Sequence, residues 1–301
     1  MKLDLLDIQH FKNLEFLARQ LVEGFITGLH KSPYHGFSVE FAEHQPYNTG
    51  ESTRHIDWKV FARTDKLFTK RYEEETNLRC QIVIDNSSSM YYPKKTRDKI
   101  RFSIISAAAI AFLLQKQRDA VGLTTFSDQI EISTVIKSTA SHLNKLIILL
   151  NEMLEKEQTS KSTSVASVLD EIAEKVHKRS LIVIFSDMFD KTTQLDEIFS
   201  ALQHLKHNRH EVLVFHVTDH KTEYLFEFDE RPHEFIDLET GERLKIQPSQ
   251  VKETFESEMK KYYHELKIRC GLLKIDFIEA DVNEDFNHIL YTFLMKRAKM
   301  H

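Results

Sequence analysis

The chain has 301 residues, enough for one large domain or for a domain with a small module. Its 41% hydrophobic content supports an ordinary buried core, and scarce Gly and Pro without any low-complexity stretch argue against long disordered linkers. A formal net charge of −5, with both signs interspersed and no long basic run, argues against nucleic acid as the main partner.

Apolar residues from Ile8 to Leu29 recur at helical spacing (Phe11, Leu14, Leu17, Leu21, Phe25) and predict a helix or helix pair. Phe37, Val39 and Phe41 alternate with Ser38, Glu40 and Ala42, which predicts a strand, and Asn48-Thr49-Gly50 marks a turn. Residues 1–77 are expected to form a helical and extended segment packed on a main domain over 78–301. In that domain strands and helices alternate. Arg79 to Ile84 reads as a strand, Lys95 to Gln117 as a long helix, and Ala120 to Phe126 and Ile130 to Val135 as strands. His142 to Lys156 and Ser164 to Val176 read as helices. Leu181 to Phe185, almost wholly apolar, reads as a central parallel strand. Leu195 to Leu205 is a helix, Val212 to Val217 a strand, Val251 to Ile268 a helix, Leu272 to Ile278 a strand and Phe286 to Met295 a last helix. Between them, about 221–247, Leu225, Phe226 and Phe228 precede Phe235, Ile236 and Leu238, with Glu239-Thr240-Gly241-Glu242 as a turn. This reads as a small β-hairpin insertion. The alternation predicts an α/β fold, doubly wound on a mainly parallel six-stranded sheet.

Cys80 and Cys270 form no metal-type or redox-type pair and are expected as buried free thiols. The first residues lack a signal peptide's apolar core. The most apolar run, Phe102 to Leu114, falls short of the roughly 20 residues that span a bilayer. A cytoplasmic protein without direct membrane insertion is the expectation.

The chemistry gathers at strand ends. Ile82-Val83-Ile84 runs into Asp85-Asn86-Ser87-Ser88-Ser89, which offers oxygens at alternate positions in one loop. Such hard donors suit Mg²⁺ or Mn²⁺. Leu181 to Phe185 ends in Ser186-Asp187, and Thr163 places a hydroxyl at the start of a helix. In a sheet of order 3-2-1-4-5-6 the first and fourth strands are neighbours at the topological switch point, where ligands bind. Asp85 and Asp187 are expected to converge there.

These residues resemble a known site. Asp85-x-Ser87-x-Ser89, Thr163 and Asp187 are similar to the metal-ion-dependent adhesion site of von Willebrand factor A domains, and Ala120 to Asp128 resembles that family's second strand. Upstream, Tyr47-Asn48-Thr49-Gly50-Glu51, Arg54-His55-Ile56-Asp57-Trp58-Lys59, Ala62-Arg63-Thr64 and Arg71-Tyr72-Glu73-Glu74-Glu75 resemble the signature of the family called domain of unknown function 58. The resemblance implies a non-catalytic, metal-dependent protein-interaction module. In it Ser87, Ser89 and Thr163 contact the ion, Asp85 and Asp187 hold it directly or through water, and a partner's acidic side chain completes the shell. It also implies a MoxR-type AAA+ ATPase as partner. Two positions depart from the A-domain pattern: Lys161-Ser162 precede the threonine, and Met188 follows the second aspartate, where glycines are common. Tyr91, Tyr92, Met188 and Phe189 either exclude water around the ion or pack under the loops.

Other clusters carry less. Arg54, Asp57 and Arg63 suit a structural charge network, and Arg71, Glu73 and Glu75 a solvated or network role. His204, His207 and His210 have a spacing compatible with zinc, but their polar neighbours suit a solvated helix end. The rival class is a Mg²⁺-dependent hydrolase acting on a phosphoester. It lacks a Walker-type phosphate loop and a Gly-x-Ser-x-Gly elbow here, and Ser87 stands where a phosphatase would need a second aspartate.

Overall fold

The structure is a computed structural model, and it describes residues 14–30, 44–46, 58–70, 78–155, 164–189, 195–238, 241–284 and 289. The expected strand at 37–41, the turn at 48–50 and most of the last helix lie outside them. Two compact units are present: Thr27–Asn77, and Met1–Ile26 with Leu78–His301. In the smaller unit, β1 (His44–Pro46) pairs antiparallel with β2 (Phe68–Lys70), and α2 (Trp58–Thr64) lies between them in sequence. Trp58 meets Phe61 edge-on, with ring centroids 6.1 Å apart.

The larger unit begins with α1 (Leu14–His30), whose Leu14, Leu17, Ala18, Leu21 and Val22 recur every third or fourth residue and are all buried. The sheet follows: β3 (Arg79–Asp85), β4 (Ala120–Phe126), β5 (Ile130–Ser133), β6 (Leu181–Ser186), β7 (Glu211–Thr218) and β10 (Asp276–Asp281). Their spatial order is β5-β4-β3-β6-β7-β10, parallel throughout except for β5, which runs antiparallel to β4. Numbered along the chain, that is the expected 3-2-1-4-5-6, with the switch point between β3 and β6.

Successive residues of a strand face opposite sides of a sheet, and the core divides accordingly. Cys80, Ile82 and Ile84 of β3 and Leu181, Val183 and Phe185 of β6 pack with α1, α3 (Asp98–Lys116) and α4 (Ala140–Glu155). Val83, Ile182 and Ile184 face α5 (Val165–Lys175), α6 (Leu195–His207) and α7 (Pro248–Leu272). Ala107, Ala108, Ala109 and Ala111 are at most 2% exposed and bring α3 close to the strands. Phe185 stacks on Phe215 at 4.7 Å, worth about 0.5–1.5 kcal/mol beyond the area it buries.

The largest departures from the sequence reading are in the last strand and in the insertion. The last strand is β10, not Leu272 to Ile278, because α7 continues to Leu272. The helix stops when Lys274 enters the left-handed region (φ 54°) and Ile275 N donates to the Cys270 carbonyl at 2.9 Å. In the insertion, β8 (His233–Ile236) and β9 (Arg243–Ile246) form the expected antiparallel hairpin, but Leu225 to Phe228 are not a strand. A π-turn at His220–Tyr224 leads into them, and Phe226 packs against Phe228, Phe235 and Phe255.

Cys80 and Cys270 are both free and buried, on opposite faces of the sheet. Burial pushes the Cys270 thiol up to about 12. Neither thiol is expected to react with a disulfide reagent at neutral pH in native protein, and both should react in denaturant. A rapidly titrating thiol in the folded protein, or a Cys80–Cys270 disulfide under non-reducing conditions, would contradict this packing.

Candidate metal centre at the carboxyl ends of the strands

β3 delivers Asp85 and β6 delivers Asp187 to the same end of the sheet, because their parallel register aligns Ile84 with Phe185. Both aspartates have no solvent exposure, and neither do Ser87 and Ser186. Asp85 Oδ1 accepts from the Ser87 amide at 2.9 Å and Oδ2 from the Ser186 hydroxyl at 2.7 Å. Burial first, and then Asp187, push the Asp85 carboxyl up to about 7, against the pull of those hydrogen bonds. Ser186 Oγ also accepts from the Met188 amide at 2.9 Å, so one hydroxyl joins the two aspartate loops.

After Asp85 the chain turns through a 3₁₀ segment, Ser88–Tyr91. Ser87 Oγ and Ser89 Oγ lie 3.0 Å apart in a mutual hydrogen bond, and Ser89 is the half-buried member. In an octahedral Mg²⁺ shell with oxygens at about 2.1 Å, adjacent ligands stand about 3.0 Å from one another. The hydroxyl pair matches that edge. Hard oxygens, a matching edge and an excess of buried carboxylate fit a divalent cation. Among the described residues no group of three or more His, Cys, Asp or Glu converges as a metal cage, so the fit rests on the hydroxyls. Thr163 lies outside the described residues. Its neighbour Ser164 donates its amide to the Ser127 carbonyl at 3.1 Å, which anchors the start of α5 beside the end of β4.

Several groups at the site went unnoticed in the sequence. Lys99 is fully buried, and its Nζ donates to Asp187 Oδ2 at 2.9 Å and to Glu223 Oε1 at 2.6 Å. Burial pulls this ammonium down, but Asp187 and Glu223 more than offset it, and its pKa stands above the usual lysine value. The Glu223 carboxyl is raised by burial and by Asp187, against Lys99. His216 Nε2 meets the Asp187 carbonyl at 3.0 Å, and burial lowers its imidazole to about 4, so it is neutral and donates. Asn86 donates to Glu131 Oε2 at 2.9 Å and accepts from the Tyr91 hydroxyl at 2.7 Å, while Ser127 donates to Glu131 Oε1 at 2.8 Å. One signal was legible. Lys99 sits in the first turn of α3, where the helix dipole disfavours a cation, so a compensating anion was to be sought.

Of the four residues flanking the loops, Tyr91 and Met188 are core residues at 5% and 1% exposure. Tyr92 and Phe189 are half-buried, and Phe189 stacks on Tyr262 at 5.2 Å. Met188 holds a left-handed backbone (φ 54°), the conformation a glycine adopts without strain; its buried side chain and the Tyr262 hydroxyl, which donates to its carbonyl at 2.7 Å, fix it there. Near the end of α6, His207 is exposed as expected and His204 is half-buried, but His210 departs from the solvated terminus. His204 Nδ1 lies 3.0 Å from Asp170, but His210 is buried against Ser180 after Arg209 turns left-handed. Arg63 is exposed at the end of α2, while Arg54, Asp57, Arg71, Glu73 and Glu75 fall outside the described residues.

A 3-2-1-4-5-6 sheet with Asp-x-Ser-x-Ser after its first strand and an aspartate after its fourth defines a von Willebrand factor A-like domain. Residues 43–265 match the family described as Protein of unknown function DUF58, and the chain belongs to that family. Uncharacterized proteins of Mycobacterium tuberculosis and Mycobacterium bovis are 23% identical over 208 residues, 69% of this chain. The match spans 64% of those relatives, under two thirds of their length. Among solved structures, an aerotolerance-related membrane protein from Bacteroides fragilis is 14% identical (74% of this chain, 99% of that one, TM-score 0.43). The conserved hypothetical protein BatB from Bacteroides thetaiotaomicron is 13% identical (74% and 99%, TM-score 0.41), and a von Willebrand factor type A protein from Catenulispora acidiphila 11% (46% and 33%, TM-score 0.34). Among the described residues, no helix is long and apolar enough to cross a membrane.

The Lys99 bridge makes a stability prediction. Lys99→Met leaves two carboxylates without their cation and is expected to cost about 3–5 kcal/mol in urea unfolding. Lys99→Met with Glu223→Gln removes one charge of each sign and should cost less than Lys99→Met alone. A single variant as stable as the wild type would mean that the ammonium does not hold the site together.

Proposed function

We propose that this chain is a non-catalytic protein-interaction module that captures a partner's carboxylate through a bound Mg²⁺ or Mn²⁺. The carrying observation is the Ser87–Ser89 hydroxyl pair, 3.0 Å apart, set over two aspartates without solvent exposure. In this reading Ser87, Ser89 and Thr163 hold the ion through hydroxyls, and Asp85 and Asp187 act through water; both oxygens of each already accept one hydrogen bond, which favours a bridging water over direct contact. When bound, the ion supplies a Lewis-acidic position for one outside carboxylate. Of the two described hydroxyls Ser89 is the more exposed, and in this reading the partner approaches from its side. A desolvated carboxylate contact there makes an interface hot spot. The family resemblance points to a MoxR-type AAA+ ATPase, or a client presented to it, as the partner. Two buried free thiols suit a reducing, cytoplasmic setting.

Binding that is confined to the folded state raises its stability. Millimolar Mg²⁺ or Mn²⁺ is therefore expected to raise the melting temperature of the wild type. Ser87→Ala with Ser89→Ala, which removes no charge, should abolish the rise while the metal-free melting temperature stays within a few degrees. An equal rise in this double variant would remove the metal assignment.

The partner claim has its own test. A MoxR-type ATPase from the same cell should bind the wild type in Mg²⁺, and fail to bind in EDTA or to the Ser87→Ala variant. Equal binding in EDTA would make the site structural. Chelator-sensitive turnover of a generic phosphoester would replace the interaction reading with the hydrolase.

A further inference from the structure

Both oxygens of Asp187 are committed. Oδ1 accepts from the Phe189 amide at 3.2 Å, and Oδ2 accepts from Lys99 at 2.9 Å. Lys99 has no exposure and reaches Glu223 at 2.6 Å with another of its N–H groups. Glu223 is fixed in turn, since its Oε2 accepts from the Asp219 amide at 2.8 Å. Its side chain is 19% exposed, so it is the member of this triad that reaches solvent, and it lies on the π-turn that opens the hairpin insertion.

An aspartate beside a divalent ion has two options. It can bind directly and neutralise half of the ion's charge, or it can stay one water away and leave the ion electrophilic. For Asp187 to bind through Oδ2, that oxygen would have to leave a buried ammonium that has one other carboxylate partner; to bind through Oδ1, it would have to do so in the orientation that the Lys99 bridge and the Phe189 amide fix. An ammonium so deeply desolvated holds its partners firmly.

We propose that Lys99 is a positioning residue: with Glu223 behind it, it holds Asp187 out of the ion's inner shell and so keeps a coordination position strong enough to capture an outside carboxylate. The inference rests on the metal reading above. It also connects the hairpin insertion to the site, because Glu223 is the far end of the bridge.

The test uses Mn²⁺ as the metal and acetate as the carboxylate probe, on the full chain. Free Mn²⁺ measured by electron paramagnetic resonance gives the ion's affinity. Water-proton relaxation of the bound ion, titrated with acetate, reports whether acetate displaces its waters. Lys99→Met with Glu223→Gln keeps the cluster's net charge and frees Asp187 Oδ2. This variant is expected to bind Mn²⁺ about tenfold tighter, the scale on which groups behind the ligands tune a site. It should start with fewer exchangeable waters and lose most of its response to acetate. Glu223→Gln alone, at the partly exposed end, folds more readily; it leaves Lys99 bound to Asp187 and should keep or strengthen the acetate response. If the folded double variant matches the wild type in both readouts, or Glu223→Gln loses the acetate response, Lys99 is structural and the proposal falls. If the wild type binds no Mn²⁺, the metal reading itself fails and this inference goes with it.

Discussion

One fully buried ammonium, that of Lys99, organises the carboxyl ends of the central strands. The sheet places Asp85 and Asp187 at neighbouring strand ends, and neither has solvent to stabilise its charge. Burial first, and the neighbouring Asp187 second, raise the Asp85 carboxyl and drive it towards its neutral form. Lys99 settles the matter on the Asp187 side by donating to it and to Glu223. It can do so because of where α3 starts. Arg97 turns the chain through the left-handed region (φ 55°), and the first turn of α3 then faces the strand ends instead of solvent.

Around that charge the loops are tied to one another. The Ser87 amide and the Ser186 hydroxyl each hold one oxygen of Asp85. Asn86, Tyr91, Glu131 and Ser127 link the loop after β3 to the loop after β4, and Ser164 fastens the start of α5 to the same place. Donors held this way lose little freedom when they bind a ligand, which is how a site becomes selective without many contacts. Among the described residues of the two loops, Asp85, Ser87 and Asp187 are buried and Ser89 is half-buried.

The insertion between β7 and α7 is more than a flap. Its first turn supplies Glu223, and its aromatic residues Phe226, Phe228 and Phe235 pack with Phe255 of α7. The segment therefore has an aromatic cluster that packs it on α7 and a charged side chain that reaches Lys99 at the strand ends.

The sequence by itself determined the architecture. Largely apolar strands of four to eight residues alternating with amphipathic helices allow few folds other than a doubly wound sheet, and a residue period of two or 3.6 is a local property. It also put Asp85 and Asp187 at neighbouring strand ends, because the switch point of a doubly wound sheet follows from connectivity. Boundaries such as the end of α7 were less legible, because Leu272 and Leu273 suit a helix end as well as a strand. What only the tertiary structure decided was the company those oxygens keep. Lys99 is 88 residues from Asp187 and 124 from Glu223, and nothing local pairs them. His210 looked like a solvated histidine until the left-handed turn at Arg209 buried it. A charge's partner depends on which elements meet in space and on how far water is excluded there, and neither is written in any short stretch of the chain.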